Sequence, residues 1–346
     1  MSETVELGQA EAEELAMKAC LHAGANRPSA RSLVDATLSA ARFGPPTLGF
    51  PHMVDYLNSF REGRINGNPQ PKLDRPFPAY LSCDADRGVA QLGFDLAFED
   101  LVAAAGTFGI AIFTQTNSYT AGELGYFVRR LADRGLVGLA ATNANPMVVA
   151  KPGGPKVYST NPLAFGFPLG DDLPPMIIDQ ASSATAFVNI VAAASEGRPI
   201  PEGCAVDSEG VDTLDAHKAL AGSLLPFGGR KGANVALMVE MLSAGLSGGP
   251  WSLDVADFRS GDRSPGIGLT VLAMMPGTIE EGRIERAREQ AERLKDLGVY
   301  IPGMSRGELA GLRSRTFKMP RSIYDAVCFF ASGSGTAGNA PLTPPR

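Results

Sequence analysis

The chain has 346 residues, 44% of them apolar and 20% charged, so a sizeable core is within reach and wholesale disorder is excluded. A formal net charge of −6 with no basic block argues against a nucleic-acid partner. The acidic N-terminal run lacks the apolar core of a signal peptide, and no stretch nears the ~18 apolar residues of a membrane span; a cytoplasmic protein without membrane contact is expected.

In chain order, Glu11 to His22 predicts an amphipathic helix ended by the Gly24–Asn26 turn. Ser29 to Phe43 predicts a second helix, broken by Gly44-Pro45-Pro46, and Pro51 to Glu62 a third with Met53, Val54, Tyr56, Leu57 and Phe60 at helical spacing. A Gly/Asn/Pro-rich connector, Gly63 to Pro71, follows. Ala79 to Gln91 predicts two short strands around Asp84–Gly88, Phe94 to Thr107 a helix, and Gly109 to Thr114 a buried strand. Leu124 to Gly135 predicts a helix capped by Gly135. Val137 to Thr142 and Met176 to Asp179 predict buried strands, and Gly268 to Met275 another strand. Phe187 to Gly197, Asn234 to Ser247 and the charged stretch Ile279 to Gly298 predict helices, and the Gly/Ser/Pro-rich stretch from Ala331 to Arg346 predicts no fixed structure.

Helices and strands mix without a βαβ rhythm, and no G-x-G-x-x-G lies between a strand and a helix, so a Rossmann fingerprint is absent. The four cysteines, Cys20, Cys83, Cys204 and Cys328, are scattered with no histidine at ligand spacing, so reduced thiols and no metal are expected.

Three segments could carry chemistry. Ser159-Thr160-Asn161-Pro162 puts a hydroxyl and an amide at a turn where they could meet a carboxylate or ribose, or simply form an Asx-Pro turn. Leu224 to Gly232, ending in Gly228-Gly229-Arg230-Lys231-Gly232 before a helix, offers backbone amides and two cations to a phosphate, or is a solvated loop. Met176 to Ser183 ends a strand in Asp179-Gln180-Ala181, where Asp179 could face a ligand or cap the next helix. Among only three histidines, His22 and His217 lie at a helix end and in a turn-rich acidic stretch. His52 opens the third helix and is the candidate acid.

Together these segments resemble the type-2 malate/L-lactate dehydrogenase-like oxidoreductases, and most closely their cyclic-imine-reducing branch. The resemblance runs from about Glu11 to Arg306. It rests on Gly135-Leu136-Val137-Gly138, Thr142-Asn143, Lys151-Pro152-Gly153-Gly154, Thr160-Asn161-Pro162-Leu163, Ile200-Pro201-Glu202-Gly203 with Val206-Asp207, Leu225 to Gly232, and Ile301-Pro302-Gly303. It implies a mixed α/β (α+β) homodimer with a non-Rossmann NAD(P)-binding fold: a mainly antiparallel sheet flanked by helices, plus a helical N-terminal region. The implied division is residues 1–70 as that region, 71–117 with 268–330 as a substrate and dimerisation domain, and 118–267 as the nucleotide-binding domain, with 331–346 as a tail. Cofactor contacts would map to Thr120, Ala121, Gly122, Glu123 and Leu124, to Asp179, Gln180 and Ala181, to Arg230 and Lys231, and to Pro302, Gly303, Met304, Ser305 and Arg306. Thr160 would touch a small-molecule substrate. Arg230, Lys231 and Arg306 as partners of a 2′-phosphate favour NADP(H) over NAD(H).

Departures from the family concentrate at the chemistry. The family's Ser-His-Gly, with His as proton donor, reads Thr47-Leu48-Gly49 here, and its substrate-carboxylate arginine is His52. The acid that orients the family histidine falls on Asn189, and a cofactor-side histidine on Thr120. Leucine cannot transfer a proton, so catalysis would rest on His52, Thr47 and Asn189, with Leu48 and His52 lining the substrate pocket. The resemblance therefore implies a reductase of a cyclic imine or a 2-imino or 2-oxo acid with a rebuilt centre. The alternative is a repurposed or inert nucleotide-binding homologue.

Overall fold

The computed structural model describes residues 3–170, 172–277, 282–304 and 315–333. The chain opens with strand β1 (Thr4–Gly8), then α1 (Gln9–His22) and α2 (Arg27–Phe43). Asn26 caps α2 by accepting the Ser29 N–H at 2.9 Å, with Pro28 in the first turn. Next come a 3-10 turn (Pro46–Leu48) and α3 (Phe50–Arg61). The hairpin β2 (Lys72–Phe77) and β3 (Tyr80–Asp84) leads to α4 (Ala90–Phe108) and β4 (Ile110–Ser118). There follow α5 (Gly125–Ala132), β5 (Val137–Thr142), β6 (Val148–Val149), β7 (Lys156–Tyr158), β8 (Leu163–Phe167) and β9 (Met176–Gln180). Then come α6 (Phe187–Ser195), β10 (Ala205–Val206), α7 (Ala216–Ala221), β11 (Ser223–Leu224) and α8 (Arg230–Glu240), which passes into a π-helical turn, Met241–Gly245. The strand β12 (Ile267–Met274), the helix α9 (Arg283–Asp296), β13 (Thr316–Pro320) and α10 (Arg321–Ala331) complete the order.

The main sheet has seven strands in the order β2-β3-β4-β12-β5-β8-β9 among the described residues. Only β3 and β4 pair in parallel; the other neighbours are antiparallel, as expected. The two faces of β12 are both used. Ile267, Leu269, Val271 and Ala273 join the core beneath α4 and α5, while Thr270 donates its hydroxyl to Leu242 O of the π-helical turn at 2.6 Å. Strands come to this sheet from both sides of residues 118 and 267, whereas the smaller sheet β10-β11-β6-β7 lies within 118–267. A second core joins α1, α2 and α3 to β13 and α10, with β1 paired antiparallel to β13. The segment Thr316–Ala331 thus packs with the N-terminal helices.

Several predicted boundaries shift. One strand, not two, lies within Ala79–Gln91: after Asp84 the chain turns, and α4 starts at Ala90. The partner of β3 is Lys72–Phe77, exposed at every residue and therefore without hydrophobic alternation. Gly135 lies beyond the end of α5, which stops at Ala132, and turns the chain with φ 74°. His217 is not in a turn: Asp215 accepts its N–H at 2.8 Å and starts α7. The predicted tail from Ala331 is described only to Gly333; residues 334–346, and 279–281 of the predicted helix Ile279–Gly298, lie outside the described residues.

Candidate active site

The corner made by the 3-10 turn and α3 is pressed onto α2. A side chain on Gly49 would put its Cβ 2.9 Å from Ala41 Cα, so glycine permits the approach. Leu48 and His52, one helical turn apart, line a tight pocket with Thr37, Gln91, Gly122 and Glu123, with room of about 10 Å³, on the scale of one water. The His52 ring stands edge-on to Tyr56 (5.0 Å between centroids) and Phe258 (5.8 Å). Its Nδ1 lies 3.1 Å from Asp55 Oδ2, which also accepts from Arg259 at 3.2 Å. Its Nε2 lies 3.4 Å from Thr120 Oγ1. Burial works against the charge on Asp55, but the hydrogen bond and charge of His52, then of Arg259, outweigh it and hold the carboxyl below its ordinary range.

Thr120 begins the segment that ties this corner to β9. Its hydroxyl donates to Tyr56 Oη at 2.7 Å, and Tyr56 donates in turn to Thr120 O at 2.9 Å. Gln91 Nε2 donates to Ala121 O at 2.8 Å. Glu123 is buried and held by Arg129 at 2.8 and 3.2 Å, and Arg129 also donates to Ser39 Oγ. Leu124 is in the core. Asp179 does not cap α6; its carboxylate accepts the Gly125 N–H at 2.7 Å, at the start of α5. Burial, opposed by the Gly125 bond and reinforced by the Glu123 charge, pushes its carboxyl up to about 6. Within this segment Glu123 and Leu124 turn inward, so a ligand would meet mainly backbone and the Gly122 edge.

The end of β9 then reaches both remaining predicted segments. Ser182 N–H donates to Thr160 O at 2.7 Å, and Ser183 bridges to Pro226, with Phe227 N–H donating to Ser182 O at 3.1 Å. Thr160, the exposed Gln180 and the Gly228–Lys231 loop are thereby linked through adjacent backbone. Gly228 (φ 56°) and Gly229 (φ 62°) occupy the left-handed side, and a Cβ on either would meet nothing within 4 Å, so open space lies before α8. No side chain caps α8, and Arg230 and Lys231 are exposed with no ion pair among the described residues. Free helix N–H groups, two cations and open space fit the phosphates of a dinucleotide.

Behind Thr160 lies a polar network that sequence reasoning missed. Buried Asn161, in the left-handed region at φ 38°, donates to Ala236 O and Glu240 Oε2, both at 2.8 Å. Buried Glu240 also accepts from Ser252 N–H (2.6 Å) and Ser252 Oγ (2.7 Å). It locks the Thr160 turn to the last turn of α8. Asp55, Tyr56, Phe258 and Arg259 were likewise not singled out, although Asp55 at i+3 from His52 carries a spacing signal.

Other predicted residues make no hydrogen bond to His52 among the described residues. Thr47 is exposed on the 3-10 turn. Asn189 is exposed on α6, and its amide donates to Thr185 Oγ1 at 3.2 Å; among the described residues no hydrogen bond joins it to Leu48 or His52. Gly303 packs against Pro175 O, at the end of β9 opposite Gln180, and Met304 is buried with Leu169, Ala291 and Ile301. Pro302 is half-buried beside them, and Ser305 and Arg306 lie outside the described residues.

This geometry sets a dinucleotide-compatible loop and a histidine corner on a non-Rossmann, mainly antiparallel sheet. The chain belongs to the malate/L-lactate dehydrogenase family of oxidoreductases, whose sequence profile matches residues 8–316. It is 33% identical over 325 residues to the (2R)-3-sulfolactate dehydrogenase (NADP(+)) of Chromohalobacter salexigens, covering 93% of this chain and 96% of that one. It is 34% identical over 288 residues to the Δ1-pyrroline-2-carboxylate/Δ1-piperideine-2-carboxylate reductase of Pseudomonas putida, covering 82% and 84%. The crystal structure of Δ1-piperideine-2-carboxylate reductase from Pseudomonas syringae superposes with a TM-score of 0.86 at 29% identity, covering 94% of this chain and 99% of that one. Among the described residues no helix is long and apolar enough to cross a membrane.

Proposed function

We propose that the protein is an NADP(H)-dependent reductase of a small cyclic imine bearing a carboxylate, with 2-imino and 2-oxo acids as related substrates. The observation that carries this reading is the pocket shared by Leu48 and His52, in which the side chain at the family's acid position cannot give a proton while the histidine one turn later can. Bound NADPH would supply the hydride. A ketone needs a proton for its developing alkoxide, and removing a general acid costs roughly 10²–10⁴-fold. An iminium carbon needs none, because its nitrogen already carries the charge that the reduction relieves. His52 Nε2 would meet the substrate carboxylate, Thr160 its other edge, and Arg230 and Lys231 the cofactor phosphates. Gln180 and Ala181 would lie along the nucleotide.

A cytoplasmic homodimer goes with this reading. Leu237, Met238 and Met241 stand exposed together on α8 and its π-helical turn, which supports a surface covered by a second copy. A second reading, a nucleotide-binding homologue that transfers no hydride, is favoured by Leu48 and by Asn189, whose amide bonds Thr185 Oγ1.

The absorbance of NADPH and NADH should be followed with Δ1-piperideine-2-carboxylate, Δ1-pyrroline-2-carboxylate and pyruvate. We expect NADPH consumption with both imines, at least about tenfold faster than with pyruvate. Nucleotide binding with no oxidation across the panel would establish the second reading instead.

A further inference from the structure

Each hydrogen in the His52 corner can be assigned by exclusion. The Thr120 carbonyl only accepts, so the Tyr56 hydroxyl hydrogen is committed to it at 2.9 Å. The Thr120 hydroxyl must then be the donor in its 2.7 Å contact with Tyr56 Oη, which leaves Thr120 Oγ1 only lone pairs to turn toward His52 Nε2. On the other side of the ring, the Asp55 carboxylate only accepts, and it lies closer, 3.1 Å from Nδ1. Both ring nitrogens therefore face acceptors. A neutral ring has one N–H to give, and the charged, shorter partner takes it. A free neutral imidazole side chain prefers the opposite tautomer, with its proton on Nε2.

The surroundings hold the ring in this state. Asp55 is buried, and Arg259 donates to the same Oδ2 that His52 meets, so the carboxylate keeps its charge. Tyr56 and Phe258 pack edge-on against the ring, and a half-turn of the imidazole would take Nδ1 away from Asp55. His52 and Asp55, three residues apart on α3, share one helical face.

We propose that Asp55 is a positioning residue for His52: it keeps the proton on Nδ1 and so makes Nε2, beside Thr120 and the Leu48 pocket, the nitrogen that meets the ligand. The functional half rests on the reading above. When the ring takes a second proton, it sits on Nε2 and is donated to the substrate carboxylate in place of Thr120 Oγ1. Asp55 itself touches no substrate.

The test uses full-length protein labelled with ¹⁵N-histidine. With three histidines in the chain, the His52 signals are assigned by their loss in His52→Ala. In the wild type, long-range ¹H–¹⁵N spectra of the neutral ring should show the proton on Nδ1. Asp55→Ala should return His52 to the Nε2–H tautomer. Asp55→Asn, which keeps an oxygen acceptor, should retain Nδ1–H and guards against misfolding of the alanine variant. In kinetics, Asp55→Ala should raise KM for Δ1-piperideine-2-carboxylate about tenfold, the scale of one charge-assisted hydrogen bond. It should leave KM for carboxylate-free Δ1-piperideine and the Kd for NADPH within about twofold, and Asp55→Asn should recover most of the loss. A wild-type His52 protonated on Nε2, or an unchanged tautomer in folded Asp55→Ala, would overturn the proposal. Wild-type protein that reduces no imine would sink the functional reading alone, because the spectra still decide what Asp55 does.

Discussion

Under the proposed function, the His52 corner and the Gly228–Lys231 loop would serve one bound substrate and dinucleotide with opposite strategies. In the corner, the His52 ring, Asp55, Tyr56 and the Thr120 hydroxyl each have a named partner, two aromatic rings fix the imidazole, and most of these groups are buried. In the loop, two glycines on the left-handed side open onto empty space, and two cations stand in solvent. A fixed array suits a group whose position decides chemistry. An exposed pair of charges suits a phosphate, which binds by charge over a wider range of geometries. The contrast explains how the family's histidine position could become Leu48 without loss of the Gly228–Lys231 loop.

The sharpest way to break this contrast is at the corner. His52→Ala should lower kcat/KM for cyclic imino acids roughly 10–100-fold, the scale of a lost charge-assisted hydrogen bond to the carboxylate, while leaving NADPH affinity unchanged in a fluorescence titration. An unaffected rate removes His52 from the site. The loop should respond in the converse way. Arg230→Ala with Lys231→Ala should weaken NADPH binding by roughly 10–100-fold and NADH binding by less than about threefold, both read by calorimetry. Equal losses would move the 2′-phosphate elsewhere, with Arg306 the next residue to test.

The smallest expected effect lies between the two regions, at Asp179. Its folded-state value of about 6 is above the ordinary 3.8, so the folded protein holds this proton more tightly than the unfolded chain does. That contribution to stability is complete below about pH 4 and is lost as pH rises through about 6. Asp179→Asn should therefore stabilise the apo-protein at pH 8, by roughly 1–2 kcal/mol after allowance for partial exposure, and change little at pH 4. Thermal melts at the two pH values check this, and a gain that does not depend on pH would point to another cause.

The helices from α1 to α5 were legible because apolar spacing and Gly or Pro punctuation agree there. The strands β2 and β13 were not. Lys72–Phe77 is exposed throughout, and Thr316–Pro320 is defined by a partner more than 300 residues away. At the site, the scarcity of histidine pointed to His52, and the family motifs pointed to the loops. Asp55 was hidden because an aspartate three residues beyond a histidine is ordinary on any helix until both are seen buried together. Glu240 was hidden inside an apolar stretch, since what makes its burial tolerable is Asn161, 79 residues earlier.

The clasp of β1 onto β13 gives the protein a timetable. Phe50 meets Phe317 at 6.1 Å between ring centroids, and Arg61 lies over Phe330 at 4.9 Å, so both ends of α3 rest on the last tenth of the described chain. During synthesis, residues 4–8 emerge more than 300 residues ahead of the strand that pairs with them. A chain clipped before Thr316 would hold α3 with neither Phe317 nor Phe330 against its ends, so the His52 corner is set only once that segment is in place.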